Sequence, residues 1–158
     1  MSSINQLTEK LDQYIDEQLT ENEPVFTILF QTSYEKKVDE YVLEKREKET
    51  FSVLLNRLRE EKGLTPKELY KRAWVDRRLY SQIMGKRNYQ PAKNTVIAFG
   101  LGLHLSRSEM ELLLGSAGIS INKSSEFDLV ILFCIENKLF DINTVNHLLL
   151  HRKQSLLR

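Results

Sequence analysis

The stretch TPKELYKRAWVDRRLYSQIMG, residues 65 to 85, decides how this chain folds. Thr65 can cap the free amide groups of a helix start and Pro66 suits the first helical position, so a helix is predicted through Ala73. A tight turn follows at Trp74 and Val75. Asp76 can cap a second helix running to about Met84, with Gly85 just past its end, where a left-handed residue commonly stops a helix. Leu69, Ala73, Val75, Leu79 and Ile83 recur at steps of three and four and would close a small core between the two helices. The opposite face of the second helix then carries Arg77, Arg78, Ser81 and Gln82.

Working outward, Phe51, Leu54, Leu55 and Leu58 mark a preceding helix that stops at Gly63. Downstream, a polar loop from Lys86 to Pro91 leads into a helix started by Pro91 and carrying Val96, Ile97, Phe99, Leu101 and Leu103. Ser106, with Glu109 three residues later, forms a capping box for the next helix, which ends at Gly115 or Gly118. Two more helices follow, over 125–137, capped by Ser124 or Ser125, and over 142–152, capped by Asp141 or Asn143. At the other end, Ile4, Leu7, Leu11, Ile15 and Leu19 follow helical spacing, which predicts an amphipathic helix over 3–19. The apolar patch from Val25 to Phe30 is too short to classify by periodicity. It is read as helix, because Tyr34, Val38, Tyr41 and Val42 continue the pattern and no second strand is visible to pair with it. The alternating charges from Glu44 to Glu49 close that helix as a solvated stretch.

At 158 residues the chain is one domain, or one domain with an appendage, and it can bury most of its apolar surface unaided. Six glycines and three prolines favour helix throughout. No apolar run is long enough to span a bilayer, and the first twenty residues lack the basic start and apolar stretch of an export signal, so no membrane association and a cytoplasmic location are expected. The net charge of +1 conceals an asymmetry. Residues 1–50 hold 6 basic and 12 acidic side chains, residues 51–93 hold 11 and 4, and residues 94–158 hold 6 and 6. An acidic arm attached to a basic middle points to a polyanionic partner or to an internal electrostatic contact; the bland alternative is two ordinary solvated faces.

The five-helix order and spacing over residues 51 to about 114 resemble the Cro/C1-type (XRE-like) helix-turn-helix family, in which the helix matching Asp76 to Met84 lies in the DNA major groove. A closer likeness is to a largely uncharacterised helical module of bacterial proteins, sometimes joined to other domains. Its pattern is seen here at Tyr70 to Ala73, Asp76 to Ser81, Tyr89 to Lys93, Leu112 to Gly118, Phe127 to Leu129 and Phe140 to Ile142. Pro66 stands where Cro/C1-like domains often carry a phosphate-gripping glutamine. Tyr70 stands where a small alanine usually lets the two helices approach, so it either splays them or fills a gap in a variant core; the second is the preferred reading. The expected fold is all-α: a compact multi-helix domain with a helix-turn-helix core (51–118), an acidic N-terminal helical arm (1–50) and a C-terminal helical pair packed on the core (119–158). The apolar residues of the arm must pack somewhere, on the C-terminal helices or on the same arm of another molecule, and a homodimer is slightly preferred.

The resemblance implies double-stranded DNA as partner and a role in transcription regulation. Arg77 and Arg78, in the first turn of the recognition helix, could each bond a guanine in bidentate fashion, with weaker contacts from Ser81 and Gln82. Lys67, Lys71, Arg72, Lys86, Arg87 and Lys93 would neutralise backbone phosphates, and Tyr89 could touch a partner's backbone. The ordinary alternative is that Arg77 or Arg78 pairs with Glu68 or with the acidic arm. A second function class is a protein-interaction module that uses the same basic surface on an acidic protein, in bacterial signalling or in phage–host conflict. Trp74 and Tyr80 can be read as stacking platforms, but burial is the expectation for both. No phosphate loop, dinucleotide fingerprint or paired-cysteine metal motif occurs, so neither a cofactor nor an enzyme activity is expected. His147 and His151 share a helix face but are too few for a metal site. His104 reads as a helix C-terminal cap, where a cation is favoured. Cys134, the one cysteine, lies in an apolar run and reads as a buried, inert thiol.

Overall fold

The computed structural model describes residues 3–20, 34–45, 49–86 and 88–157, in which every regular element is an α-helix. The patch from Val25 to Phe30 and the side chain of Arg87 lie outside the described residues. The arm contributes α1 (Ile4–Thr20) and α2 (Tyr34–Lys45). Then come α3 (Phe51–Glu61), α4 (Pro66–Arg72), α5 (Arg77–Gly85), α6 (Lys93–Gly102), α7 (Arg107–Ser116), α8 (Glu126–Glu136) and α9 (Ile142–His151).

The cap residues set these boundaries much as their chemistry demands. Thr65 and Ser106 each form a full capping box, with Glu68 and Glu109 reaching back to the cap amide. Asp76, Ser125 and Asp141 cap α5, α8 and α9 through their side chains. Two expected boundaries move. Pro91 is buried and α6 begins two residues later, at Lys93 with Ala92 as its cap residue. Gly85 is the last residue of α5 rather than the left-handed residue beyond it, and the chain leaves through an extended Lys86.

Left-handed helix ends are instead found six times elsewhere among the described residues. In each, the amide after the left-handed residue donates to the carbonyl five residues back: Leu64 to Arg59, Val75 to Tyr70, Leu105 to Gly100, Ile119 to Leu114, Leu139 to Cys134 and Gln154 to Leu149. Glycine takes the left-handed position at Gly63 and Gly118, but Trp74, His104, Lys138 and Lys153 take it at φ 55 to 57°. Each of these four carries the steric cost of a Cβ there, about 1–2 kcal/mol.

Two helices are apolar on nearly every face and are therefore central. In α6 every residue from Val96 to Gly102 is buried, and in α8 every residue from Asp128 to Ile135. Around α6 lie α4 and α7; around α8 lie α1, α7 and α9. Gly102 lets the end of α6 approach α4 closely, since a Cβ there would stand 3.3 Å from the Ala73 amide nitrogen.

The arm helix α1 docks within the chain. Leu11 and Ile15 are fully buried, Tyr14 meets Phe133 edge-on at 5.8 Å, and the Tyr14 hydroxyl donates to Glu136 Oε1 at 3.3 Å. Asp12 accepts from Arg152 at 3.1 Å and lies 3.0 Å from His151 Nε2. Burying two such aliphatic side chains contributes roughly 3–6 kcal/mol at most. Of the two ways expected for the arm to cover its apolar face, docking on the C-terminal helices is the one α1 adopts. His151, an exposed residue, is a member of this seam.

Candidate nucleic-acid interface

The basic residues of the middle segment divide into two sets. Four are consumed by the protein itself. Arg57 pairs with Glu49 and Glu61 at 2.9 and 2.8 Å. Arg59 donates to the Leu64 carbonyl and to Asn56, holding the turn between α3 and α4. Lys62 reaches Glu109 on α7 at 3.4 Å. Lys93 donates to Asp128 Oδ2 at 2.6 Å and to the Ser120 carbonyl at 3.0 Å. Asp128 is 1% exposed, and the same oxygen also accepts the Asn122 amide at 2.6 Å. Lys93 is thus an internal counter-charge clasping α6 to α8, and it leaves the set expected to face phosphate. A buried carboxylate requires such a partner.

The second set is Lys67, Lys71, Arg72, Arg77, Arg78 and Lys86, all exposed, with no ion pair to any of them among the described residues. Five lie on α4 or α5 and the sixth, Lys86, directly follows α5. The two acids nearby are occupied as caps: Glu68 accepts the Thr65 amide at 2.8 Å and Asp76 the Arg78 amide at 2.6 Å. Neither of the pairings considered for Arg77 and Arg78, with Glu68 or with the arm, is made among the described residues.

The apolar side of α5 explains why its cations face outward. Tyr80 and Ile83 are buried and Leu79 and Met84 are half-buried against the core, so Arg77, Arg78, Ser81 and Gln82 are left exposed. Burial pushes the Tyr80 phenol above its usual value, against the pull of the neighbouring Arg59. Tyr70 packs on Tyr80 at 5.6 Å, and Tyr80 in turn on Phe99 at 6.0 Å. The bulky Tyr70 therefore fills a gap in an aromatic row, as preferred from the sequence.

The expected site residues do not all share one surface. Lys67, Arg77 and Ser81 line a common cleft with Pro66, Tyr70 and Tyr80. Tyr89 is half-buried. Arg72 faces a different cleft, of about 490 Å³, shared with Trp74, His104, Lys138, Phe140 and Asp141. Two expectations are corrected there. Trp74 is 48% exposed rather than buried, because its left-handed backbone turns the indole away from the core that Val75 enters. His104 does not cap α6 by charge; it takes the left-handed position itself and stacks on Phe140 at 4.6 Å and 10°. Burial, with the Arg72 and Lys62 charges nearby, holds its imidazole below the usual value.

Cys134 is buried, and desolvation pushes its thiol up to about 12. No group of three or more potential ligands is placed to hold a metal among the described residues, where no helix is long and apolar enough to cross a membrane either. No family model, curated protein or solved structure matches the chain.

Proposed function

We propose that this chain binds double-stranded DNA through α4 and α5 as a helix-turn-helix transcription regulator in the cytoplasm. The observation that carries the reading is the sorting of charge: Arg57, Arg59, Lys62 and Lys93 are tied to protein groups, while six exposed cations without ion pairs among the described residues concentrate on α4 and α5. Arg77 and Arg78 supply base contacts from the first turn of α5, helped by Ser81 and Gln82. Lys67, Lys71 and Lys86 fix position on phosphates. Arg72, turned toward the second cleft, is peripheral to this footprint.

The test is a gel shift of the full chain on genomic fragments across a range of salt. Binding should weaken steeply as salt rises. Arg77→Ala with Arg78→Ala should erase preference among fragments, whereas Lys67→Ala should weaken all of them alike and lower the salt slope by about 1. Absence of any shift at low salt defeats the proposal.

A second reading, a protein-interaction module for an acidic partner, is favoured by Pro66 and by the cleft of about 620 Å³ that it lines with Tyr70 and Tyr80 beside Lys67 and Arg77. Copurification from native cells that recovers only nucleic acid would count against it. A homodimer through the arm is kept as a proposal too, but it cannot rest on Leu11 and Ile15, which α8 and α9 cover. Sedimentation over a range of concentrations tests it.

A further inference from the structure

The cleft between the ends of α4 and α6 and the α8–α9 turn is built in an unusual way. Three of the four side-chain-bearing residues with left-handed backbones, Trp74, His104 and Lys138, line it together. Of the three left-handed helix ends elsewhere, two are glycine. Side chains therefore occupy the costly left-handed position where they line this cleft, and such strain gathers at ligand sites. Three aromatic side chains line the cleft: His104 lies parallel to Phe140, and the Trp74 side chain is exposed. Burial, with the Arg72 and Lys62 charges nearby, favours the neutral form of the His104 ring. Charge is supplied by Arg72 and Lys138, both exposed and without an ion pair among the described residues. The one acid, Asp141, is turned to its own helix, accepting from the Thr144 amide and hydroxyl at 3.1 Å each. At about 490 Å³ the space is that of a small-molecule site.

We propose that this cleft binds a small planar anion, an aromatic ring bearing a carboxylate or a phosphate. The ring is held against Trp74 and the His104–Phe140 pair, and the anionic group sits between the Arg72 guanidinium and the Lys138 ammonium. Because the cleft includes the turn that joins α4 to α5, its occupant would bear on how those two helices are held. The site stands independently of DNA binding, and its test contains no DNA, so either proposal can fail alone.

Trp74 is the sole tryptophan of the chain, so intrinsic fluorescence reads this cleft directly. The full-length protein is titrated with benzoate, phenyl phosphate, adenosine monophosphate, inorganic phosphate and benzamide, at constant ionic strength. The expected result is a saturable change with at least one of the three aromatic anions, at about 0.1–1 mM for a ligand of some ten heavy atoms. Inorganic phosphate and neutral benzamide should bind at least tenfold more weakly. Which of the three binds tightest separates a carboxylate ligand from a phosphorylated one and a simple ring from a nucleotide. Arg72→Gln and Lys138→Gln, both at exposed positions, should keep the parent far-UV circular dichroism and lose at least tenfold in affinity. No saturation by any aromatic anion up to 10 mM overturns the proposal, at roughly tenfold beyond the expected range. So does benzamide or phosphate binding as tightly as the aromatic anions, or binding that both variants leave unchanged.

Discussion

Replacing Lys93 with methionine removes the cation 2.6 Å from Asp128 while keeping an unbranched stem in its place. The carboxylate it leaves behind is 1% exposed and retains the Asn122 amide as a donor. Stranding one charge of a buried pair costs about 3–5 kcal/mol. Since 31% of the Lys93 side chain is exposed, water can reach that side of the pair, and a cost near the lower end, about 3 kcal/mol, is expected. Asp128→Asn removes the stranded charge, so Lys93→Met combined with Asp128→Asn should cost only about 1 kcal/mol, the scale of one hydrogen bond. Urea unfolding followed by circular dichroism measures both. With a slope of about 2 kcal/mol/M, the midpoint of the single variant falls by about 1.5 M and that of the double variant by about 0.5 M. On the proposed DNA-binding reading, folded Lys93→Met protein should bind within about twofold of the parent, because the ammonium group neutralises Asp128 rather than phosphate. A single variant as stable as the parent, or a double variant no better than the single, would refute the clasp.

Three further outcomes follow from the same geometry. Although partial burial opposes it, hydrogen bonds from His151 and Arg152 hold the Asp12 carboxyl below its usual value, and the Ser106 amide does the same for Glu109. Stability from both should be complete above the ordinary carboxylate range of about 4 and be lost as pH falls through the lower folded values; thermal melts between pH 6 and 2.5 check this, and Asp12→Asn should flatten the slope. Lys138→Gly should raise stability by about 0.5–1 kcal/mol, the left-handed penalty less the added chain entropy of glycine, in urea titration; the same change should weaken aromatic-anion binding to the cleft. Cys134 should resist a thiol reagent under native conditions and react at the rate of global unfolding in urea, and rapid native labelling would show that α8 is not sealed.

Most of the helical frame was legible along the chain because its signals are local. Thr65, Ser106 and Asp141 each satisfy an amide within three residues, so cap chemistry marks the starts of α4 and α7 and, with Asp141 one of two candidates, of α9. The residues that enter the core from α3 to α6 were also readable, since a three-to-four step names a face without reference to its neighbour. Gly85 misled because the helix runs one residue further, through it, and the chain then leaves extended at Lys86. Trp74 misled for a related reason. A large aromatic beside Val75 reads as core, yet the left-handed backbone at that position sends the two side chains to opposite sides, and no glycine advertises the conformation.

The candidate interface divides in the same way. That α5 presents Arg77, Arg78, Ser81 and Gln82 away from Ile83 is periodicity, and it needed no coordinates. Which positive charges remain free is a different kind of fact. Lys93 and Lys67 look alike in the sequence, but one meets a carboxylate 35 residues further on and the other meets solvent. The cleft that gathers Arg72, Trp74, His104 and Lys138 from three separate helix ends was equally invisible, because no pattern in the chain relates them. The order and type of the helices from α3 onward, and the buried faces of α3 to α6, were therefore set by amino-acid order alone, through interactions within a turn or two. The docking of α1, the loss of Lys93 to Asp128 and the assembly of the second cleft were decided only in the tertiary structure, where charge pairing and close packing depend on distances between segments that local chemistry does not constrain.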